Sequence, residues 1–202
     1  MANVVGRIMD ARVAPRYREP RPSDIVVHND HLSRIFGRIL DGLGPNRLSR
    51  LSICCHGLMA DMTDPNRMLS RLGGGFGLQL GWDNLTLSSA HNFARLRGKF
   101  APGGMIDIYA CAAADDSSTT GFTGNGRLLM REIAGQAGAI VRASDAIQVN
   151  TRGWQPQPSI FGVARPPLDL GVFMGPWEGN VWIFSPDGSA PRLDAASGLG
   201  ER

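Results

Sequence analysis

The stretch Gly104–Ala114, GMIDIYACAAA, decides how the rest of this sequence is interpreted. The glycine pair at 103–104 lets the backbone turn, and the run that follows it, 105–110, is apolar apart from Asp107. A short run rich in Ile and Tyr and bounded by glycine is typical of a buried β-strand rather than a helix. We therefore predict a core strand over 105–110 that ends at Cys111, after which small residues follow.

A second apolar stretch, Leu51–Cys55, has the same form and runs into His56-Gly57. Ligands of α/β proteins bind outside the carboxyl ends of parallel strands, so His56 and Cys111 are expected to face one crevice. An imidazole near a thiol can take its proton or stabilise the thiolate, which is the nucleophile. The N–H groups of Gly57 and Cys111 could hold a developing oxyanion. The sequence thus predicts a nucleophile and its base.

Each of these residues also has a simpler interpretation when it is taken alone. A free cysteine is commonly a small buried hydrophobe, and a histidine at a strand end is commonly a hydrogen-bonded structural residue. The matching positions of His56 and Cys111 favour the catalytic interpretation. Cys54 and Cys55 are most simply core residues of the strand that precedes His56.

Composition bounds the class of protein. A chain of 202 residues with 43% hydrophobic and 19% charged residues fits one globular domain with a sizeable core. The net charge is +3, but the arginines are scattered and Lys99 is the only lysine, so nucleic-acid binding is disfavoured. An odd number of cysteines (3) predicts free thiols and a reducing compartment at synthesis. No apolar run approaches a membrane-spanning length, and the N-terminus lacks the apolar core of a signal peptide.

Other chemistries lack their signals. There is no G-x-S-x-G elbow, no Walker A motif and no strand-linked G-x-G-x-x-G. The glycine-rich stretch 73–77 precedes a predicted hairpin rather than a helix. Cys54, Cys55 and His56 are consecutive, and strand alternation would place them on both faces, which is poor zinc geometry. We therefore predict no cofactor and no metal.

The remaining elements alternate along the chain and predict an α/β fold, a three-layer sandwich with a mostly parallel central sheet. Residues 1–22 are predicted to form an extended Arg/Pro-rich arm, residues 23–190 the domain, and residues 191–202 a disordered tail. Strands are predicted at 24–28, 48–55, 105–110 and 137–143, helices at 31–43, 88–100 and 127–136, hairpins at 77–87 and 180–188, and a long loop at 58–75.

Three motifs carry a resemblance to a known family: ICCHG, then GLQLGWDNLTLSSAHNFARLRGKFAPGGMIDIYACAAAD, then TGNGRLLMREIAGQAGAIVRASD. Together they resemble the caspase-like (clan CD) cysteine peptidases over roughly residues 50–146. The greatest similarity is to the bacterial caspase-like domain of unknown function found in large surface adhesins, and gingipain-like and CHAT peptidases are more distant. The order of the three motifs along the chain is more specific to this family than any one of the short motifs alone.

The resemblance implies a catalytic dyad without a metal. Cys111 would attack the peptide carbonyl, His56 would protonate the leaving amine, and the amides of Gly57 and Cys111 would form the oxyanion hole. Asp30 could orient His56 from the end of the first predicted strand, although we expect that it does not. The order of the pair, His56 before Cys111 by 55 residues, agrees with the caspase-type arrangement.

The resemblance also implies a substrate-binding segment, Ala143-Ser144-Asp145. An acidic residue there favours a basic side chain before the scissile bond; alternatively, Asp145 caps a turn. Trp154 either walls this pocket or covers the core. Asp107, on the same predicted face as Cys111 but deeper, is a weaker pocket candidate.

The predicted function is therefore a cysteine endopeptidase, a hydrolase that cleaves proteins or peptides after a basic residue and acts as a bacterial effector or on itself. Its expected location is the bacterial cytoplasm, or outside the cell after export without a cleaved signal peptide. The sequence leaves its oligomeric state open. The alternative is a catalytically inactive caspase-like binding or scaffold module. A third hypothesis is that the same dyad transfers an acyl group to an acceptor other than water.

Overall fold

The computed structural model describes residues 2–13, 24–60, 68–70, 77–116, 125–146, 148, 154–155, 168–169 and 177–195. The strands are β1 (Asn3–Asp10), β2 (Asp24–Val27), β3 (Arg47–Cys54), β4 (His56–Ala60), β5 (Met68–Ser70), β6 (Gly77–Gln79), β7 (Phe100–Tyr109), β8 (Ile140–Ser144), β9 (Trp154–Gln155), β10 (Leu168–Asp169), β11 (Val181–Phe184) and β12 (Arg192–Leu193). The helices are α1 (Leu32–Leu43), a 3₁₀-helix (Ala90–Leu96) and α2 (Gly126–Ala137).

Seven strands form the central sheet, in the order β12-β11-β8-β7-β3-β1-β2. All pairs from β8 to β2 are parallel, and β11 and β12 add antiparallel strands at one side. Two small sheets accompany it, β5-β4-β6 and β9-β10. The predicted α/β class with a mostly parallel central sheet is therefore confirmed.

The described helices lie together on one face of the central sheet. The crossovers from β2 to β3, from β3 to β7 and from β7 to β8 all advance in the same direction across the sheet. Because such crossovers are right-handed, they place α1, the 3₁₀-helix and α2 on the same side. Their apolar stripes and the inward strand residues make up the main core, which includes Phe36, Phe93, Ile53, Ile108 and Ile133.

The opposite face of the sheet carries a smaller cluster that mixes apolar and ionic groups. The rings of Tyr109 and Trp177 stack with centroids 4.6 Å apart. Asp107, fully buried, accepts two hydrogen bonds from Arg142, at 2.8 and 2.9 Å, and lies 3.3 Å from Arg50. A buried carboxylate needs such partners, so Asp107 is bound within the sheet and does not line a pocket.

The predicted extended arm over residues 1–22 is wrong for residues 3–10, which form a strand of the central sheet. Asn3–Asp10 is the interior strand β1, hydrogen-bonded between β2 and β3, and Ile8 and Met9 are buried. The dense Arg and Pro content of residues 12–22 concealed the short alternating apolar run that precedes it. Similarly, β12 lies within the predicted disordered tail and pairs with β11 to close the predicted hairpin. Residues 14–23 and 196–202 lie outside the described residues.

Three smaller differences lie between β3 and β7. The predicted loop 58–75 contains part of β4, which pairs with β5 and β6. The predicted helix 88–100 is a shorter 3₁₀-helix, and the next strand starts earlier than predicted, at Phe100. The predicted hairpin 77–87 is closed by paired backbone hydrogen bonds of 2.8 Å between Leu78 and Leu85. Within the described residues, no helix is long and apolar enough to cross a membrane.

The position of β1 in the sheet can be tested with two substitutions in the same strand. Ile8 is fully buried and Val5 is 57% exposed. Ile8→Ala should lower the free energy of unfolding by about 2–5 kcal/mol because it leaves a cavity, whereas Val5→Ala should cost less than about 1 kcal/mol. Chemical denaturation of both variants checks this; equal small effects would contradict an interior strand.

Candidate catalytic site at the carboxyl edge of the sheet

The strand register brings His56 and Cys111 to the same level. Cys54 of β3 is paired with Tyr109 of β7, and the Cys55 N–H donates to the Tyr109 carbonyl at 3.2 Å. His56 and Cys111 each lie two residues beyond this last pair, at the carboxyl ends of neighbouring parallel strands. Both predicted residues therefore follow the last paired position of neighbouring parallel strands, at the edge of the sheet where ligands of α/β folds bind.

The backbone after β1 holds the imidazole of His56. Its Nε2 atom lies 3.3 Å from the carbonyl oxygen of Arg12. A carbonyl oxygen only accepts, so Nε2 carries the hydrogen of this bond, and Nδ1 of a neutral ring is then free to accept a proton. The contact also places His56 where the strand order reverses, since β2 and β3 lie on opposite sides of β1.

A buried ion pair fixes the turn that presents this carbonyl. Asp10, the last residue of β1, is fully buried and accepts bonds from the Arg12 side chain at 2.7 and 2.6 Å and from the Arg12 N–H at 3.0 Å. The bond to Asp10 raises the pKa of the Arg12 guanidinium, which stays charged. Asp10 and Arg12 are the residues of this site that the sequence analysis missed, and a strand-end Asp after the apolar pair Ile8-Met9 was their only signal.

The same carboxylate ties down the turn of the hairpin. The Gly81 N–H donates to Asp10 Oδ2 at 3.0 Å, and the Gly81 carbonyl accepts from Arg12 at 2.9 Å. Gly81 has φ +64°, and a Cβ there would lie 2.3 Å from the Asp30 carbonyl oxygen, so only glycine fits. The ends of β1 and β3 and the hairpin turn are thus joined through Asp10 and Arg12.

Cys111 stands at the start of a sharply bent turn. Ala112, the next residue, has φ +46°, a left-handed conformation that is uncommon for a residue with a Cβ. The bend is held by the Ala112 N–H, which donates to Ala146 at 2.8 Å, and the Ala114 N–H, which donates to Ser144 at 2.9 Å. Such unfavourable conformations cluster at functional sites. The Cys111 thiol is partly exposed and lies 3.7 Å from the Gln148 carbonyl oxygen.

The three thiols differ in burial. Cys54 and Cys55 are 0% and 2% exposed, on opposite faces of β3. Burial raises the pKa of Cys54 to about 12 and that of Cys55 well above its usual 9.0. Both therefore remain protonated core residues at neutral pH, as the sequence analysis predicts. Of the three thiols, only Cys111 is partly exposed, and it lies beyond the end of its strand.

The backbone of Gly57 is oriented away from β6. Gly57 faces Leu78 across the β4–β6 ladder, but the N–H and carbonyl of Leu78 are both bonded to Leu85. Because bonded and non-bonded pairs alternate along an antiparallel ladder, the Gly57 N–H points to the other side of β4. This orientation is compatible with the predicted oxyanion role, which stays a prediction.

Two of the predicted substrate-binding residues, Ser144 and Asp145, have hydrogen-bond partners within the protein. Ser144 is fully buried, and its hydroxyl donates to the Glu178 carbonyl. The carboxylate of Asp145 accepts from the N–H and side chain of Asn180, at 3.0 and 3.1 Å, and from the Trp182 indole at 2.9 Å. This matches the alternative interpretation of Asp145 as a cap at a chain turn. Both side chains are thus hydrogen-bonded within the protein, and their role in substrate binding stays a prediction.

Two further predictions concern Trp154 and Asp30. The side chain of Trp154 lies outside the described residues, and only its backbone, in β9, is placed. Asp30 lies 3.5 Å from both Arg34 and Arg38, so it is engaged with α1 rather than with His56. The Arg12 carbonyl takes the orienting position instead.

No group of three or more metal-binding side chains occurs within the ranges that the structure describes. Comparisons with protein-family models, with curated proteins and with solved structures find no match to this chain. The caspase-like resemblance therefore depends on the quoted motifs, and the site has to be judged on its own geometry.

Thiol alkylation can test the difference between the three cysteines. Iodoacetamide added to the native protein at neutral pH should modify Cys111 alone, because the other two thiols are buried, and peptide mass spectrometry should locate the adduct. Cys111→Ser should abolish native labelling, and unfolding should expose the remaining thiols. Early labelling of Cys54 or Cys55 would contradict the described burial.

Stability at alkaline pH can test the burial of Cys54. Below its ordinary pKa of 9.0, the folded and unfolded states both keep the proton; above it the unfolded thiol ionises first, which favours unfolding until the folded pKa near 12 is reached. By pH 10.5, wild type should have lost about 2 kcal/mol relative to Cys54→Ala, compared with the difference at pH 8. Denaturant titrations at both pH values measure this. Val5→Ala, at an exposed position of β1, is the control and should follow the wild type.

Proposed function

We propose that this protein is a cysteine endopeptidase in which Cys111 is the nucleophile and His56 is its base and acid. The observation that carries the proposal is the register of β3 and β7, which places these two residues at equivalent positions beyond Cys54 and Tyr109. The Nε2 contact of His56 with Arg12 supports it, because that contact leaves Nδ1 to accept a proton.

The reaction follows from these roles. The Cys111 thiol gives its proton to Nδ1 of His56, and the thiolate attacks the carbonyl carbon of the scissile peptide bond. As the tetrahedral intermediate collapses, the imidazolium returns the proton to the leaving amine, and an acyl-thioester remains on Cys111. Water, deprotonated by His56, then hydrolyses the thioester and frees the thiol.

The oxyanion of the intermediate requires hydrogen-bond donors at the edge of the sheet. The N–H groups of Gly57 and Cys111 are the candidates, since they belong to the residues that flank the two strand ends. The left-handed Ala112 fixes the direction of the chain directly after the nucleophile. A fixed backbone of this kind stabilises developing charge without reorganisation during the reaction.

Substrate preference is a separate part of the proposal. A basic residue before the scissile bond was predicted from Asp145, but that carboxylate is occupied by Asn180 and Trp182. The proposal therefore keeps protein or peptide substrates, and the preceding residue is left for experiment. An effector role or self-processing by this chemistry likewise stays a prediction.

The test is to map new protein N-termini in a bacterial lysate incubated with wild type, Cys111→Ala or His56→Ala. Cuts made by wild type should be lost in Cys111→Ala and should fall by at least about a hundredfold in rate in His56→Ala, since general acid–base catalysis contributes that much. His91→Ala changes an exposed histidine on the 3₁₀-helix and is the matched control with unchanged cutting.

Three results distinguish the proposal from its rivals. If folded wild type produces no new N-termini, the alternative of a catalytically inactive scaffold module is favoured. Cuts that persist in Cys111→Ala would show a different nucleophile. Acyl groups transferred to amines rather than to water, with few free termini, would indicate acyl transfer rather than hydrolysis.

A further inference from the structure

Trp82 presents a large apolar side chain to solvent at the carboxyl edge of the sheet. It is 67% exposed, whereas Trp177 is 9% exposed and Trp182 is half-buried. A single exposed apolar residue needs no explanation in general. Two observations set Trp82 apart: the rigidity of its backbone and its place relative to His56.

The backbone of the turn that carries Trp82 is held by hydrogen bonds to three other segments of the chain. Gly81 is bonded to Asp10 and Arg12, and the Trp82 N–H donates to the Asp30 carbonyl at 2.9 Å. The carboxylate of the next residue, Asp83, accepts from the Leu32 N–H at 2.9 Å, at the start of α1. The backbone is therefore fixed by partners on three elements, and the indole takes no part in these bonds.

The position of Trp82 follows from two pairings. Gln79 lies directly opposite His56 in the β4–β6 ladder, and Trp82 is three residues further along. Three residues span at most roughly 10 Å. Because the turn is bonded to the ends of β1 and β2, Trp82 lies on the side of His56 away from β7 and Cys111.

The roles of the proposed dyad predict which part of the substrate lies on the Trp82 side of His56. His56 protonates the leaving amine, so the part of the substrate that follows the scissile bond extends from Cys111 towards His56 and beyond it. An extended peptide advances about 3.3 Å per residue, so the first to third residues after the cut come within reach of the indole. A rigid aromatic surface binds apolar groups at little cost in conformational entropy.

We propose that Trp82 is a specificity-determining residue that binds an apolar or aromatic side chain of the substrate, one to three residues after the scissile bond. This inference rests on the proposed peptidase function. It assigns a binding role to the exposed indole of the hairpin turn 80–84, while Gly81 and Asp83 anchor that turn to the end of β1 and the start of α1.

The experiment uses a proteome-derived peptide library, with cut sites read by mass spectrometry on both sides of each cut. Wild type should show enrichment of apolar residues at the first to third positions after the cut. Trp82→Ala should lose this enrichment and cut such peptides about tenfold less efficiently, through a higher KM, while the preference before the cut stays unchanged. Trp82→Phe should restore most of the enrichment.

Controls separate a binding role from a structural one. Leu193→Ala removes another exposed apolar side chain, 52% exposed on the distant strand β12, and should leave the profile unchanged. The thermal midpoint of Trp82→Ala should equal that of wild type. If Trp82→Ala cuts with the same residue preference after the scissile bond as wild type, this inference is overturned and the proposed function is not. Absence of cuts with wild type would overturn the proposed function, and this inference with it.

Discussion

The carboxyl edge of this protein depends on one buried carboxylate. Asp10 has no exposed surface, and a buried charge without partners would cost several kcal/mol. Its oxygens take bonds from the Arg12 guanidinium, the Arg12 N–H and the Gly81 N–H. Because all these partners must be in place together, the turn after β1 and the hairpin turn form as one unit. His56, bonded to the Arg12 carbonyl, takes its orientation from the same unit.

The handedness of the crossovers divides the sheet into two different faces. Three crossovers advance in one direction and bury the apolar stripes of the described helices on one side. On the other side, Asp107, Arg142 and Asp194 form ion pairs beside the stacked Tyr109 and Trp177. Strand alternation therefore supplies mainly apolar residues towards the helices, with Asp10 at the end of β1 as an exception, and mixed residues towards the other face. This division explains why Asp107 interrupts an otherwise apolar strand.

The sequence predicts those features that depend on local pattern. Strand β3, helices α1 and α2, and the ends of the strands at His56 and Cys111 all follow from apolar periodicity and glycine positions. The sequence does not predict those features that depend on partners distant along the chain. β1 is stabilised by pairing with strands on both sides, which its short apolar run does not reveal. Likewise, the sequence around Asp145 does not reveal its hydrogen-bond partners Asn180 and Trp182, because they lie about 35 residues later in the chain.

The three cysteines show why the fold and the chemistry of the site have to be argued separately. All three lie near the carboxyl edge, and their side chains are chemically identical. Cys54 and Cys55 are still within the strand or directly after it, so alternation directs one thiol into each core and desolvation keeps both protonated. Cys111 lies one step further along its strand than Cys55 does, past the last paired residue and just before the left-handed Ala112. The Cys111 side chain is therefore partly exposed, and the residue stands as many positions past the last pair as His56 does. The position of a residue relative to the strand end, rather than its type, separates a candidate nucleophile from two packing residues.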